Sequence, residues 1–152
     1  MLYSKDSRFW LELTLLPISD RLHRGWHTYN LVVGVTETGA AADLSSEPDN
    51  PLFLNSDVDP EVPALCSGIR NAVDGDEEYS FTPMDEGDFF FSVRQDGGEL
   101  IVTVDARDRP FGSDFGWPDG QCVTREALLK FAENLMREYK NLGERRNLDE
   151  SG

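Results

Sequence analysis

"DFFFSVRQDGGELIVTVDA" spans residues 88–106. Two alternating apolar runs flank Asp96-Gly97-Gly98, and glycines between two such runs are the strongest short-range signal for a β-hairpin. In the first run Phe89, Phe91 and Val93 share a face; in the second, Leu100, Val102 and Val104 do. Phe90, Ser92 and Arg94 point the other way. The stretch therefore predicts two antiparallel strands, 88–95 and 99–106, with one apolar face that must be covered.

Upstream, "EYSFTPM" (78–84) reads as a short strand, placed near an edge by Pro83. "DPEVPALCSGIRNAV" (59–73) reads as a helix. Asp59 is its N-cap, Pro60 takes the first helical position, and Pro63 is tolerated in the first turn. Val62, Leu65, Cys66, Ile69 and Val73 form one apolar stripe. Further back, "RFWLELTLLP" (8–17) alternates, with Phe9, Leu11, Leu13 and Leu15 on one side. "TYNLVVGVTE" (28–37) repeats the pattern with Tyr29, Leu31, Val33 and Val35. A tight turn at 37–39 leads into a weaker strand over 40–46, and 47–60 reads as loop.

Downstream, Thr124 caps a helix whose stripe is Leu128, Phe131, Ala132, Leu135, Tyr139 and Leu142. Glu126–Lys130 and Glu133–Arg137 are favourable pairs on its wet side. Gly143 supplies a stop, and residues 144–152 read as a flexible tail. The expectation is one α+β domain over residues 1–143: an antiparallel sheet in the order βββ-α-βββ-α, with helices packed on one face.

Composition bounds the function. With 152 residues, 39% of them hydrophobic, and sixteen Phe, Tyr and Trp, the chain can bury a real core. No apolar run approaches the ~20 residues of a membrane span. "MLYSKDSRFW" has no apolar core of a signal peptide. Cys66 and Cys122 make no disulfide framework and fit no zinc spacing, which suits a reducing cytoplasm.

The net charge is −15. Residues 37–119 hold four basic and twenty acidic groups, while the two flanks are close to neutral. Such a surface repels phosphate, so neither nucleic acid nor an anionic membrane is an expected partner. A basic protein is. Asp74, Asp76, Glu77, Glu78, Asp85, Glu86 and Asp88 bracket the short strand at 78–84 and outnumber the bases available to pair with them. They face solvent or a cationic partner.

Catalytic and metal chemistry find little support in the motifs. Asp74, Asp76 and Glu78 have the alternate spacing of a calcium loop, but Tyr79 stands where Gly is needed and Asp85 where a bidentate Glu is needed. His23 and His27 are separated by Gly25 in a turn and lack a third ligand. There is no nucleophile elbow, no phosphate loop and no cysteine-nucleophile signature. No cofactor, no metal and no enzymatic activity are expected. The segment 108–121 is long for a loop without its own structure. Its Phe111, Phe115 and Trp117, set among Asp114 and Asp119, either plug the core or anchor a partner.

The N-terminal "FWLELTLLP…GWHTYNLVVGVTE" meander, the middle helix, the "DFFFSVRQDGGELIVTVDA" hairpin and the closing "TREALLKFAENLMREY" helix together resemble the WapI-type immunity proteins. The resemblance covers roughly residues 8–142 and lies in the order of elements. It implies a small cytosolic protein that binds a cognate bacterial toxin domain and neutralises it. A second reading is an acidic secretion chaperone of the type III kind, although those open with a helix and this chain opens with a strand. A third is an enzyme using its carboxylates.

Overall fold

A computed structural model of the chain describes residues 1–16, 26–45, 53–55, 61–75, 77–82, 89–106 and 120–151. For 26–28, 42–45, 53–55, 105–106 and 143–151 it describes the backbone alone. The strands are β1 (Leu2–Tyr3), β2 (Phe9–Leu16), β3 (Trp26–Val35), β4 (Ala41–Ser45), β5 (Phe53–Asn55), β6 (Tyr79–Phe81), β7 (Phe89–Asp96), β8 (Glu99–Ala106) and β9 (Gln121–Val123). The helices are α1 (Glu61–Gly75) and α2 (Arg125–Ser151).

The α+β class and the antiparallel layout are as the sequence predicts. The strands form two sheets rather than one: β1-β2-β3-β4, with β5 also on β3, and β6-β7-β8-β9. The hairpin pairs Phe89 with Ala106 through to Asp96 with Glu99. Gly97 and Gly98 both have positive φ, 59° and 85°, as a two-residue primed turn requires. β4 and β5 lie on the same edge of β3, opposite Asn30–Gly34 and Trp26–Thr28 respectively. Part of the expected 47–60 loop, residues 53–55, is therefore strand.

The alternation decides which side is wet. Leu11, Leu13, Leu15, Tyr29, Leu31 and Val33 are buried on one face of the first sheet; Phe89, Phe91, Val93, Val102 and Val104 are buried on one face of the second. The Tyr29 and Phe89 rings meet edge-on at 5.5 Å and join the two faces. Both helices pack against the strands: α1 against β5, β6 and β7, and α2 against β1 and β2. The α1 stripe of Val62, Leu65, Cys66, Ile69 and Val73 is buried throughout, and so are Leu128, Phe131, Ala132 and Leu135 of α2. Phe131 stacks on Phe91 at 6.4 Å. The helices run antiparallel: the Cys66 thiol donates to the Ala132 carbonyl at 3.3 Å, and Asp74 meets Arg125.

The two sheets are stitched where β1 approaches β9. The Lys5 N–H donates to the Cys122 carbonyl at 2.7 Å, and the Lys5 ammonium pairs with Glu99 at 3.2 Å. Beyond β1, no described strand pairs with that edge of β2, and the Leu15 N–H points outward there. Glu138 of α2 accepts it at 2.8 Å, so the helix satisfies a donor that an edge strand leaves unpaired.

Thr124 caps α2 as expected; its hydroxyl accepts the Ala127 N–H at 3.1 Å. Glu133–Arg137 forms at 3.4 Å, whereas Glu126–Lys130 makes no ion pair. Asp59, Pro60 and Pro63's expected neighbours in the cap divide: Asp59 and Pro60 lie outside the described residues, and Pro63 sits in the first turn of α1. One expectation is corrected. The last helix does not stop at Gly143 but runs on to Ser151, so 144–151 is helical rather than a frayed tail. A glycine inside a helix costs only ~1 kcal/mol relative to alanine. Glu144, Arg145 and Arg146 beyond it are good helix formers, and no proline follows to enforce a break.

Candidate partner-binding surface

The acidic stretch that the sequence singles out begins at the C-terminal end of α1. Three described members of it, Asp74, Glu77 and Glu78, are exposed. Helix C-termini carry partial negative charge, and α1 has no basic residue in its last turn. Asp74 therefore sits at the unfavourable end of its helix. Arg125, in the first turn of α2, has the opposite mismatch. Each offsets the other: the Arg125 guanidinium donates to Asp74 Oδ1 at 2.5 Å. Both side chains are more than half exposed, 61% and 62%, so the pair contributes no more than ~1 kcal/mol.

The end of α1 is closed by a neutral donor. The Gln95 side-chain amide, at the end of β7, donates to the Ala72 and Val73 carbonyls at 3.1 and 3.2 Å. These are among the carbonyls that a helix leaves without internal partners. Gln95 thereby fixes the hairpin tip against the helix and brings exposed Asp96 to the same end of the molecule. β6 pairs Tyr79 with Val93, so Glu77 and Glu78 precede it on the side of Arg94 and Gln95. Glu126, exposed in the first turn of α2, completes the group. One pole thus collects Asp74, Glu77, Glu78, Asp96 and Glu126. Neither Glu77 nor Glu78 makes an ion pair or hydrogen bond among the described residues.

Asp96 and Glu126 are additions to the residues chosen from sequence. They are separated from the acidic stretch along the chain, and only the hairpin register and the antiparallel helix pair bring them to it. Asp76, Asp85, Glu86 and Asp88, and the loop residues Phe111, Asp114, Phe115, Trp117 and Asp119, lie outside the described residues. So does His23, and His27 is described in its backbone alone. Among the described residues no three His, Cys, Asp or Glu side chains stand together as a metal site.

Two titratable groups packed at α1 are held neutral. Burial pushes the Cys66 thiol up to about 11. Burial, with Cys66 and Glu61 nearby, pushes the Tyr79 phenol up to about 12. Both groups stay protonated at neutral pH and serve the packing between α1 and its neighbours. Among the described residues no helix is long and apolar enough to cross a membrane. Compared with protein-family models, with curated proteins and with solved structures, the chain matches none.

Proposed function

We propose that this chain is an immunity-type protein: it binds a basic toxin domain through its acidic pole and thereby neutralises it. The observation that carries the reading is the charge distribution. All of the excess negative charge falls within residues 37–119, where four bases face twenty acids. Solubility alone accounts for a negative sum but gives no reason for this concentration. The exposed carboxylates Asp74, Asp96 and Glu126 are set at the ends of α1, β7 and α2, with Glu77 and Glu78 just before β6, and so present a negative field to an approaching cation. Such a field steers association and selects the partner by sign. The layout-level resemblance to WapI-type immunity proteins points the same way, and a cytoplasmic location follows from that role.

The test is co-expression. The chain is produced together with the basic C-terminal domain of a secreted protein encoded beside its gene. The proposal expects a stable complex and restored growth of cells that the domain alone kills. Charge reversal at Glu77 and Glu78 together should weaken the complex while leaving the melting temperature unchanged. A domain that kills equally well in the presence of the chain would overturn the proposal.

A further inference from the structure

Glu126 and Glu133 of α2 are exposed, whereas Glu138 is half-buried. Its Oε1 accepts the Leu15 N–H at 2.8 Å, across 123 positions of chain. Leu15 lies past Trp10 and Leu11, the two residues of β2 that β1 covers. The same stretch of helix sets Leu135, Tyr139 and Leu142 on the core. One carboxyl therefore ties the second half of α2 to the edge of a strand. The charges around it come from every neighbouring element. Glu12 of β2 opposes its ionisation, and the Met1 ammonium ahead of β1 favours it. On α1, the antiparallel meeting of Cys66 with Ala132 sets buried Glu61 level with this turn. Arg70 and Asp74 lie toward the other end, where Asp74 meets Arg125. On α2 itself, the residues three and four positions away, Asn134, Leu135, Asn141 and Leu142, are uncharged, and Arg137 pairs with Glu133.

Two effects oppose each other at this carboxyl. Ionised, it makes the stronger hydrogen bond to an N–H. Burial and the nearby Glu12 carboxylate disfavour that charge. A protonated carboxyl loses the charge and keeps an acceptor for the single N–H it has to satisfy. We propose that Glu138 is a proton-tightened clasp: it holds the second half of α2 on the edge of β2, more firmly when its carboxyl is protonated than when it is ionised. Burial is the largest influence, and it holds the carboxyl above its ordinary 4.5 against the pull of the Leu15 N–H and the Met1 ammonium. Protons therefore favour the clasped arrangement over an opened one in which Glu138 stands in water. The clasp is at full strength below pH 4.5 and weakens as pH rises through the raised value. It uses none of the carboxylates of the acidic pole and stands whether or not that pole binds a partner.

The test is amide hydrogen exchange at Leu15 in the full chain, corrected for the intrinsic rate, between about pH 4 and about pH 7, where a raised carboxyl titrates. Val93, buried in the second sheet, is the reference. The expected result is a gain in Leu15 protection as pH falls, with the midpoint at which the Glu138 carboxyl carbon titrates and no matching gain at Val93. Glu138→Gln offers the same acceptor without a charge, so its Leu15 protection should be high and independent of pH. Glu12→Gln removes the like charge and should move the midpoint to lower pH while keeping the gain. Leu15 protection that falls on acidification would overturn the proposal. So would an unchanged pH profile in Glu138→Gln, which would assign the titration to Glu12 or Glu61, or an equal gain at Val93, which would make the effect global.

Discussion

Among the described residues, two glycines lie under aromatic rings, and they differ in what the ring does next. Gly68 of α1 lies under Tyr79 of β6, where an added Cβ would fall 2.2 Å from the ring. The Tyr79 hydroxyl goes on to donate to the Ala64 carbonyl at 3.3 Å, and its ring packs against the core. Gly34 of β3 lies under Trp10, with nearly the same closeness. That indole is on the outer face, away from the core. The first contact closes a helix onto a strand and is accounted for by folding. The second seats a ring that is not packed against the buried cluster, on the other face of the sheet.

The largest expected effects lie on the inner side. Leu135, 3% exposed between α2 and the sheets, should cost about 2–5 kcal/mol on Leu135→Ala in denaturant melts. The equivalent truncation outside, Val32→Ala, should cost under ~1 kcal/mol, as surface changes usually do. Equal losses would mean that the outer face is as structural as the inner one.

Next comes the pair of glycines. Gly68→Ala should destabilise by about 1–3 kcal/mol through overpacking, partly offset by alanine's ~1 kcal/mol helix preference. Gly34→Ala should cost less, because Trp10 is not among the rings packed against the core cluster. A larger loss for Gly34→Ala than for Gly68→Ala would reverse the assignment of the two rings.

A smaller effect isolates the Tyr79 hydroxyl. Tyr79→Phe removes one hydrogen bond and should cost about 0.5–1.5 kcal/mol. It also has a pH signature. The folded phenol is raised from 10.0 to about 12, chiefly by burial. The neutral form is therefore favoured by folding, and its contribution is intact below pH 10 and lost as pH rises towards about 12. Alkaline unfolding of the wild type should show this loss, and Tyr79→Phe should lack it.

These contrasts mark what the sequence makes legible. The long periodic elements are readable, because strands β2, β3, β7 and β8 alternate over whole lengths and both helices carry continuous stripes. The two- and three-residue strands β1, β5 and β9 are too short to display a period. The joining of the two sheets rests on a backbone contact between Lys5 and Cys122, which no local pattern announces. Gly143 reads as a stop, and its helical neighbours override it. At the pole, Asp74, Glu77 and Glu78 are visible as charge. The pairing of Asp74 with a residue 51 positions away, and the arrival of the hairpin end with Asp96 at the same end of α1, need the folded chain. The seating of Trp10 on Gly34 is likewise a matter of register, since both residues sit in ordinary strand sequence.

The central claim is that the carboxylates gathered at one pole recruit a basic partner. Its most direct test is the association rate constant with the co-encoded basic domain, measured by stopped flow at low and at physiological ionic strength. Steered association falls steeply with salt, and the expected fall is about tenfold or more. Charge reversal at Glu77 and Glu78 should flatten that dependence and leave the dissociation rate nearly unchanged. An association rate that is the same at both ionic strengths would contradict the claim.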